Sequence, residues 1–173
     1  MLASPLTPAA MATGFQITIE QYPRRPYCHY HPFPSSRDNF YVFATGRRIS
    51  LVYTPVWCRT CREITPGERL RTISEIDKLI REYEQWDPST QRDRHLDDFA
   101  FQRQWMIARQ SPPRCLRCFS PDVYLLPVGQ KVPHPSGDQS WITVSIFGFV
   151  DPVNSGDWLL DPEGLPLKAP SHL

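Results

Sequence analysis

Hydrophobic and polar residues alternate cleanly over residues 15–22, with Phe15, Ile17 and Ile19 on one side and Gln16, Thr18 and Glu20 on the other. A period of two reads as a half-buried strand. Residues 39–45 and 49–54 have the same strand character, and Gly46-Arg47-Arg48 between them reads as a hairpin turn. The strongest strand covers residues 141–150: Ile142, Val144, Ile146 and Val150 share one face with Gly148, and Trp141, Phe147 and Phe149 take the other. Residues 122–128 supply a further strand. Asp161-Pro162-Glu163-Gly164 fits a type I turn joining two short strands, near Trp158-Leu159-Leu160 and Leu165-Pro166-Leu167.

The period changes in the middle of the chain. Thr72-Ile73-Ser74-Glu75 has the form of a capping box. Ile73, Ile76, Leu79, Ile80, Tyr83 and Trp86 follow at helical spacing until Asp87-Pro88 stops the helix. Residues 91–110 read as a second helix with Leu96, Phe99, Trp105 and Met106 inward, ended by Ser111-Pro112-Pro113. Proline is frequent, 19 of 173 residues, which predicts long ordered loops. Residues 23–38 read as one of these, rich in proline and aromatics; the stretch with His134-Pro135 and Gly137 reads as another, and Pro66-Gly67 as a turn.

These elements predict an α+β fold, an antiparallel sheet with a two-helix insertion. Residues 1–13 read as a flexible N-terminus and residues 14–173 as a single domain, since no repeat or linker divides them. With 40% hydrophobic and 12% aromatic residues, the composition is globular and sufficient to bury a core. A net charge of +1 argues against a dedicated nucleic-acid binder. No apolar run approaches the roughly 20 residues of a membrane span. The first residues lack the basic stretch and apolar segment of a signal peptide, so the expected compartment is the cytoplasm, with Met11 an alternative start.

Chemistry enters with the cysteines. Cys58 and Cys61 form one Cys-x-x-Cys pair, Cys115 and Cys118 another, and 53 residues separate them. Two intervening residues make a tight knuckle that aims both sulfurs at one point, and two knuckles complete the tetrahedral set that zinc accepts. The expected cofactor is one structural zinc ion, with the helical hairpin inserted between the knuckles. The metal would tie both ends of that insertion to the sheet. A disulfide framework does not suit a cytosolic chain. Zinc knuckles often carry glycine just after the second cysteine, where a positive φ is needed; here those positions are Arg62 and Phe119. The arrangement resembles zinc-ribbon and treble-clef modules over the two cysteine pairs and their flanks. It is also similar to small bacterial proteins of unknown function with a widely split Cys-x-x-Cys quartet. That resemblance implies zinc and brings no activity with it.

Three other groups bear on function. Cys28, His29 and His31 make a smaller cluster, a candidate second metal site, or else part of a packed aromatic loop anchored by Tyr27, Tyr30 and Phe33. Arg59, Arg62, Arg69 and Arg71 crowd the first knuckle, and Arg109, Arg114 and Arg117 the second. They form a patch for phosphate or an acidic partner, or they pair locally with Glu63, Glu68 and Glu75. The acidic run Glu82, Glu84, Asp87, Asp93, Asp97 and Asp98 is interleaved with arginines and reads as a solvated helix face. No phosphate-binding glycine loop, nucleophile elbow or zinc-hydrolase helix motif occurs. The leading expectation is a non-enzymatic protein-binding module, in one version a bacterial toxin-neutralising immunity protein. Its partner is then another protein. The alternatives are a nucleic-acid-binding accessory factor using the arginines, and a metal-dependent enzyme using Cys28, His29 and His31.

Overall fold

A computed structural model describes residues 13–21, 27–31, 39–137, 139–148 and 158–167. In chain order the elements are β1 (Thr13–Gln21), β2 (Tyr27–His31), β3 (Phe40–Val42), β4 (Arg48–Ser50), β5 (Tyr53–Cys58), β6 (Glu63–Glu68), α1 (Ile73–Glu84), α2 (Thr90–Ala108), β7 (Val123–Leu125), β8 (Lys131–Pro133), β9 (Ser140–Gly148) and β10 (Leu159–Leu160). The fold is α+β with the helical hairpin inserted between the two cysteine pairs. The strands are divided among three small sheets, ordered β2-β1-β9-β8, β10-β3-β4 and β6-β5-β7. Pairing is antiparallel except for β10, which runs parallel to β3. Among the described residues no helix is long and apolar enough to cross a membrane.

The alternating pattern of β1 does what a period of two requires: Phe15, Ile17 and Ile19 are buried, and they meet Ile142 and Val144 of β9. Leu126 closes this first core, with Tyr53, Ile64 and Val132 at its margin. Ile146, on the same alternation as Ile142 and Val144, is exposed. A second core gathers Tyr41, Leu51, Trp105, Leu116 and Leu160, with Phe43, Met106 and Phe119 packed against it. Tyr53 touches both cores.

The β3–β4 hairpin turns at Gly46, whose φ is +79°. Thr72 caps α1: its hydroxyl accepts the Glu75 N–H at 3.2 Å, and the Glu75 carboxylate accepts the Thr72 N–H at 2.7 Å. Such a cap contributes about 0.5–2 kcal/mol. Arg103 joins the helices through a 2.8 Å bond to Asp77. The Asp161 turn closes as its sequence implies, with the Gly164 N–H donating to the Asp161 carbonyl at 3.0 Å, and Leu160 bridging Pro166 beyond it.

Three expectations are corrected. Residues 49–54 do not form one strand: β4 and β5 are separate and lie in different sheets. Tyr27–His31 is a strand, β2, where a loop was expected. Pro66-Gly67 lies inside β6 rather than at a turn. Pro66 stands opposite Pro55 on β5, and the two prolines point their carbonyls outward, to the N–H groups of Leu116 at 2.9 Å and Leu126 at 3.2 Å. The β5–β6 ladder asks neither proline for an N–H at this pair, so both are tolerated.

Candidate metal centre

The first knuckle is the turn of the β5–β6 hairpin. Cys58 ends β5 opposite Glu63, and residues 59–62 make the turn. Within it the Arg62 N–H donates to the Cys58 carbonyl at 2.8 Å and the Cys61 N–H reaches the Cys58 sulfur at 3.4 Å. The second knuckle repeats the main-chain bond, with the Phe119 N–H donating to the Cys115 carbonyl at 2.9 Å; there the N–H that reaches the first sulfur, at 3.4 Å, comes from Arg117, two residues on rather than three. Among the described residues, Arg62 (φ +58°) and Phe119 (φ +59°) are the non-glycine residues with positive φ. These are the positions one step beyond each second cysteine. The left-handed turn is therefore adopted without glycine, at roughly 1–2 kcal/mol of strain each.

Three interactions dock the second knuckle on β6. Gly67 bridges Cys115, the Leu116 N–H donates to the Pro66 carbonyl, and the Glu68 N–H donates to the Arg114 carbonyl at 2.8 Å. A Cβ on Gly67 would stand 2.4 Å from Val56 Cγ1, so only glycine fits there. Leu116 and Phe119 plug the knuckle into the second core. The chain then leaves through Asp122, whose carbonyl accepts the Arg59 N–H, into β7 on the far side of β5.

All four sulfurs come within 4.8 Å of one another. Cys58 and Cys118 are 3.5 Å apart at sulfur, Cys61 and Cys115 3.9 Å. Sulfurs bound at about 2.3 Å to one tetrahedral ion stand about 3.8 Å apart, so the set fits a metal. Cys58 and Cys115 are buried and all four cysteines are free of disulfides. Burial first, then the neighbouring sulfurs, hold the thiols of Cys58 and Cys61 above their ordinary range. At Cys118 burial acts the same way but is outweighed by a backbone hydrogen bond from Ser120 and by the other three cysteines, leaving that thiol lowered. Four sulfurs this close ionise together only with a cation among them.

Beside the centre lies a buried ion pair. Arg109 Nη2 donates to Glu68 Oε2 at 2.8 Å, and both side chains are essentially inaccessible, at 1% and 0% exposure. Glu68 also accepts the Tyr41 hydroxyl at 2.7 Å and the Arg114 N–H at 2.8 Å. Burial, then the Glu68 charge, raise the Tyr41 hydroxyl well above its ordinary range. Arg109 donates further to the carbonyls of Ser111 and Glu163, and its guanidinium carbon stands 5.5 Å from the ring centroids of Tyr41 and Trp105. Among the described residues its Nη1 has no hydrogen-bond partner, and the two rings give the guanidinium a cation–π contact.

The arginines flanking the knuckles are largely engaged within the fold. Arg59 pairs with Asp122, Arg69 with Glu75, Arg109 with Glu68 and Arg117 with Glu63. Arg114 donates to the carbonyls of Phe119 and Glu163, and Arg71 to Gln102. Among the described residues Arg62 is exposed and makes no ion pair. Cys28, His29 and His31 share β2, where His29 lies opposite Ile17 and His31 opposite Phe15; their side chains lie outside the described ones. His134 is buried against the Trp57 ring, at 4.6 Å between centroids, and bonds Ser136 Oγ at 2.6 Å.

One surface escapes the sequence pattern. Leu125, Val128 and Ile146 are 47%, 40% and 61% exposed and rim a cleft of about 430 Å³ floored by Phe15, Tyr53 and Leu126. Alternation alone assigns Ile146 to the core with Ile142 and Val144; the first core ends before it. Comparison with family models, curated proteins and solved structures finds no match to this chain.

Proposed function

We propose that the chain is a non-enzymatic protein-binding module whose two cysteine knuckles share one structural zinc ion. Zinc is the metal that soft, tetrahedral four-thiolate sites commonly take, and four cysteines fill its coordination, leaving no position for substrate. The metal's role is then to fix the turn of the β5–β6 hairpin against the second knuckle, with less loop entropy left to lose on binding.

The observation that carries the binding reading is the apolar rim of Leu125, Val128 and Ile146. Exposed apolar side chains gathered around a cleft mark docking sites more often than isolated ones do. Leu125 lies on β7 and Ile146 on β9, so the cleft spans the metal-bearing sheet and the long sheet. A toxin-neutralising immunity protein is one member of this class, and the partner's identity distinguishes it.

Capture of the tagged protein from host lysate, with and without nuclease, tests the reading when run beside a Leu125→Asp/Ile146→Asp double variant. The expected result is one protein retained after nuclease and lost from the variant, with zinc content equal in both. A partner bound equally by the variant, or material lost with nuclease, counts against it. The second of these results supports a nucleic-acid factor instead, with the salt dependence such binding carries.

A further inference from the structure

A second surface, sharing no residue with the apolar cleft, lies along β4. Its failure would leave the reading above standing. The sheet β10-β3-β4 ends at β4. Hydrogen bonds from Phe43 N–H to the Arg47 carbonyl and from Leu51 N–H to the Asn39 carbonyl, both 2.9 Å, fix the phase of the hairpin ladder. In that phase Tyr41 and Ile49 face each other as a hydrogen-bonded pair, and Arg48 and Ser50 turn their N–H and C=O groups away from β3. Among the described residues nothing pairs with this edge.

Helix α2 stands across from the edge and makes it one wall of a groove of about 300 Å³. Ile49, Val52 and Phe99 give the groove apolar surface, and Arg48 and Arg71 give it charge. Among the described residues neither arginine meets a carboxylate. Arg48 lies 5.7 Å from the Phe40 ring, and Arg71 donates to the Gln102 amide oxygen at 3.2 Å. The one carboxylate among the lining residues, Asp98, is bonded to Arg47 at 3.0 Å, and the same guanidinium holds Asp97 at 2.6 Å. His95 also lines the groove. The cavity has room for a few side chains and not for a whole strand, so an added strand would follow the rim and drop alternate residues inward.

We propose that this groove binds an extended acidic peptide, which pairs with β4 as a further strand and sets its carboxylates against Arg48 and Arg71. Unpaired edges accept strands through main-chain bonds, and side-chain pockets beside them select sequence. Arginine at the edge discourages pairing between two copies of this chain and favours an acidic strand.

The test uses the metal-loaded 173-residue chain and a fluorescein-labelled pool of short peptides alternating β-branched with acidic residues, followed by fluorescence polarisation. Saturable binding is expected. It should weaken about tenfold or more with Arg48→Glu, with Ser50→Pro, and with a pool N-methylated at alternate residues, which keeps charge but removes strand donors. Ser50→Pro removes only an N–H that points away from β3, and unchanged metal content and circular dichroism verify each variant's fold. Absence of saturable binding overturns the proposal. So does loss with Arg48→Glu alone while Ser50→Pro and N-methylation have no effect, since that is charge attraction without strand addition. Displacement by oligothymidylate at lower concentration than by unlabelled peptide would identify a polyanion site instead, and also overturns it.

Discussion

Arg62 and Phe119 hold the same left-handed turn in different surroundings. Arg62 is exposed, whereas Phe119 packs against the second core. Glycine at position 62 removes roughly 1–2 kcal/mol of strain and gives back roughly 0.4–1 kcal/mol through the freer unfolded chain. Arg62→Gly is therefore expected to leave stability unchanged or raise it by up to about 1.5 kcal/mol. Arg62→Val should lower it by roughly 1–3 kcal/mol, and Phe119→Gly by about 2–4 kcal/mol through lost packing. Denaturant midpoints of the metal-loaded proteins would show this order, and a stabilised Phe119→Gly would contradict it. The Glu68 pair is a second residue-scale case. Glu68→Gln leaves the Arg109 charge buried and uncompensated, so a loss of about 3–5 kcal/mol is expected in the same measurement; a loss under about 1 kcal/mol would mean the pair is not dry. The cysteine spacing was fully informative at this scale. Glycine's absence after each pair was not, because hydrogen bonds within each knuckle impose the turn on whatever residue stands there.

At the scale of elements, α1 was legible because its signals are local: a cap, a first-turn acid and a helical period. Its cap gives a pH prediction. The Thr72 N–H bond, and behind it the Thr72 hydroxyl and Arg69, hold the Glu75 carboxyl below its ordinary range, although burial opposes this. A lowered folded pKa contributes stability above the ordinary carboxylate range, about 4.3, and that stability is lost as pH falls through the folded value. Wild type should thus exceed Glu75→Gln near pH 7 by about half a kcal/mol or less, since Glu75 is half exposed and screened. The gap should close on acidification; denaturant midpoints that show it widening would refute the cap's electrostatic role. The β strands were read less well. Pro66-Gly67 looked like a turn because Pro-Gly usually is one; only the register with Pro55, and Val56 lying under Gly67, explain its place in β6. Arg48 was assigned to a turn, which hid the edge it presents.

For the molecule as a whole, the cysteine quartet ties the β6-β5-β7 sheet to the second of the two cores. The α+β class and the helical insertion could be read from periodicity, but the division into three sheets depends on long-range pairing that no local pattern records. Leu116 and Phe119 belong to the second core, whereas the first core is built on β1 and β9. Metal removal by chelation should therefore deprotect the amides of residues 115–119 and of the β5–β6 turn well before those of β1 and β9, as read by hydrogen exchange. Uniform loss across both would mean the two cores unfold as one unit. The most direct test of the account is metal stoichiometry, by native mass spectrometry and elemental analysis, on wild type and on Cys58→Ser and Cys115→Ser variants. One zinc per wild-type chain and none in either variant is the predicted result. Retention of the ion by both variants, a second equivalent, or a wild-type chain that binds no zinc would contradict the claim that the two knuckles share a single structural ion.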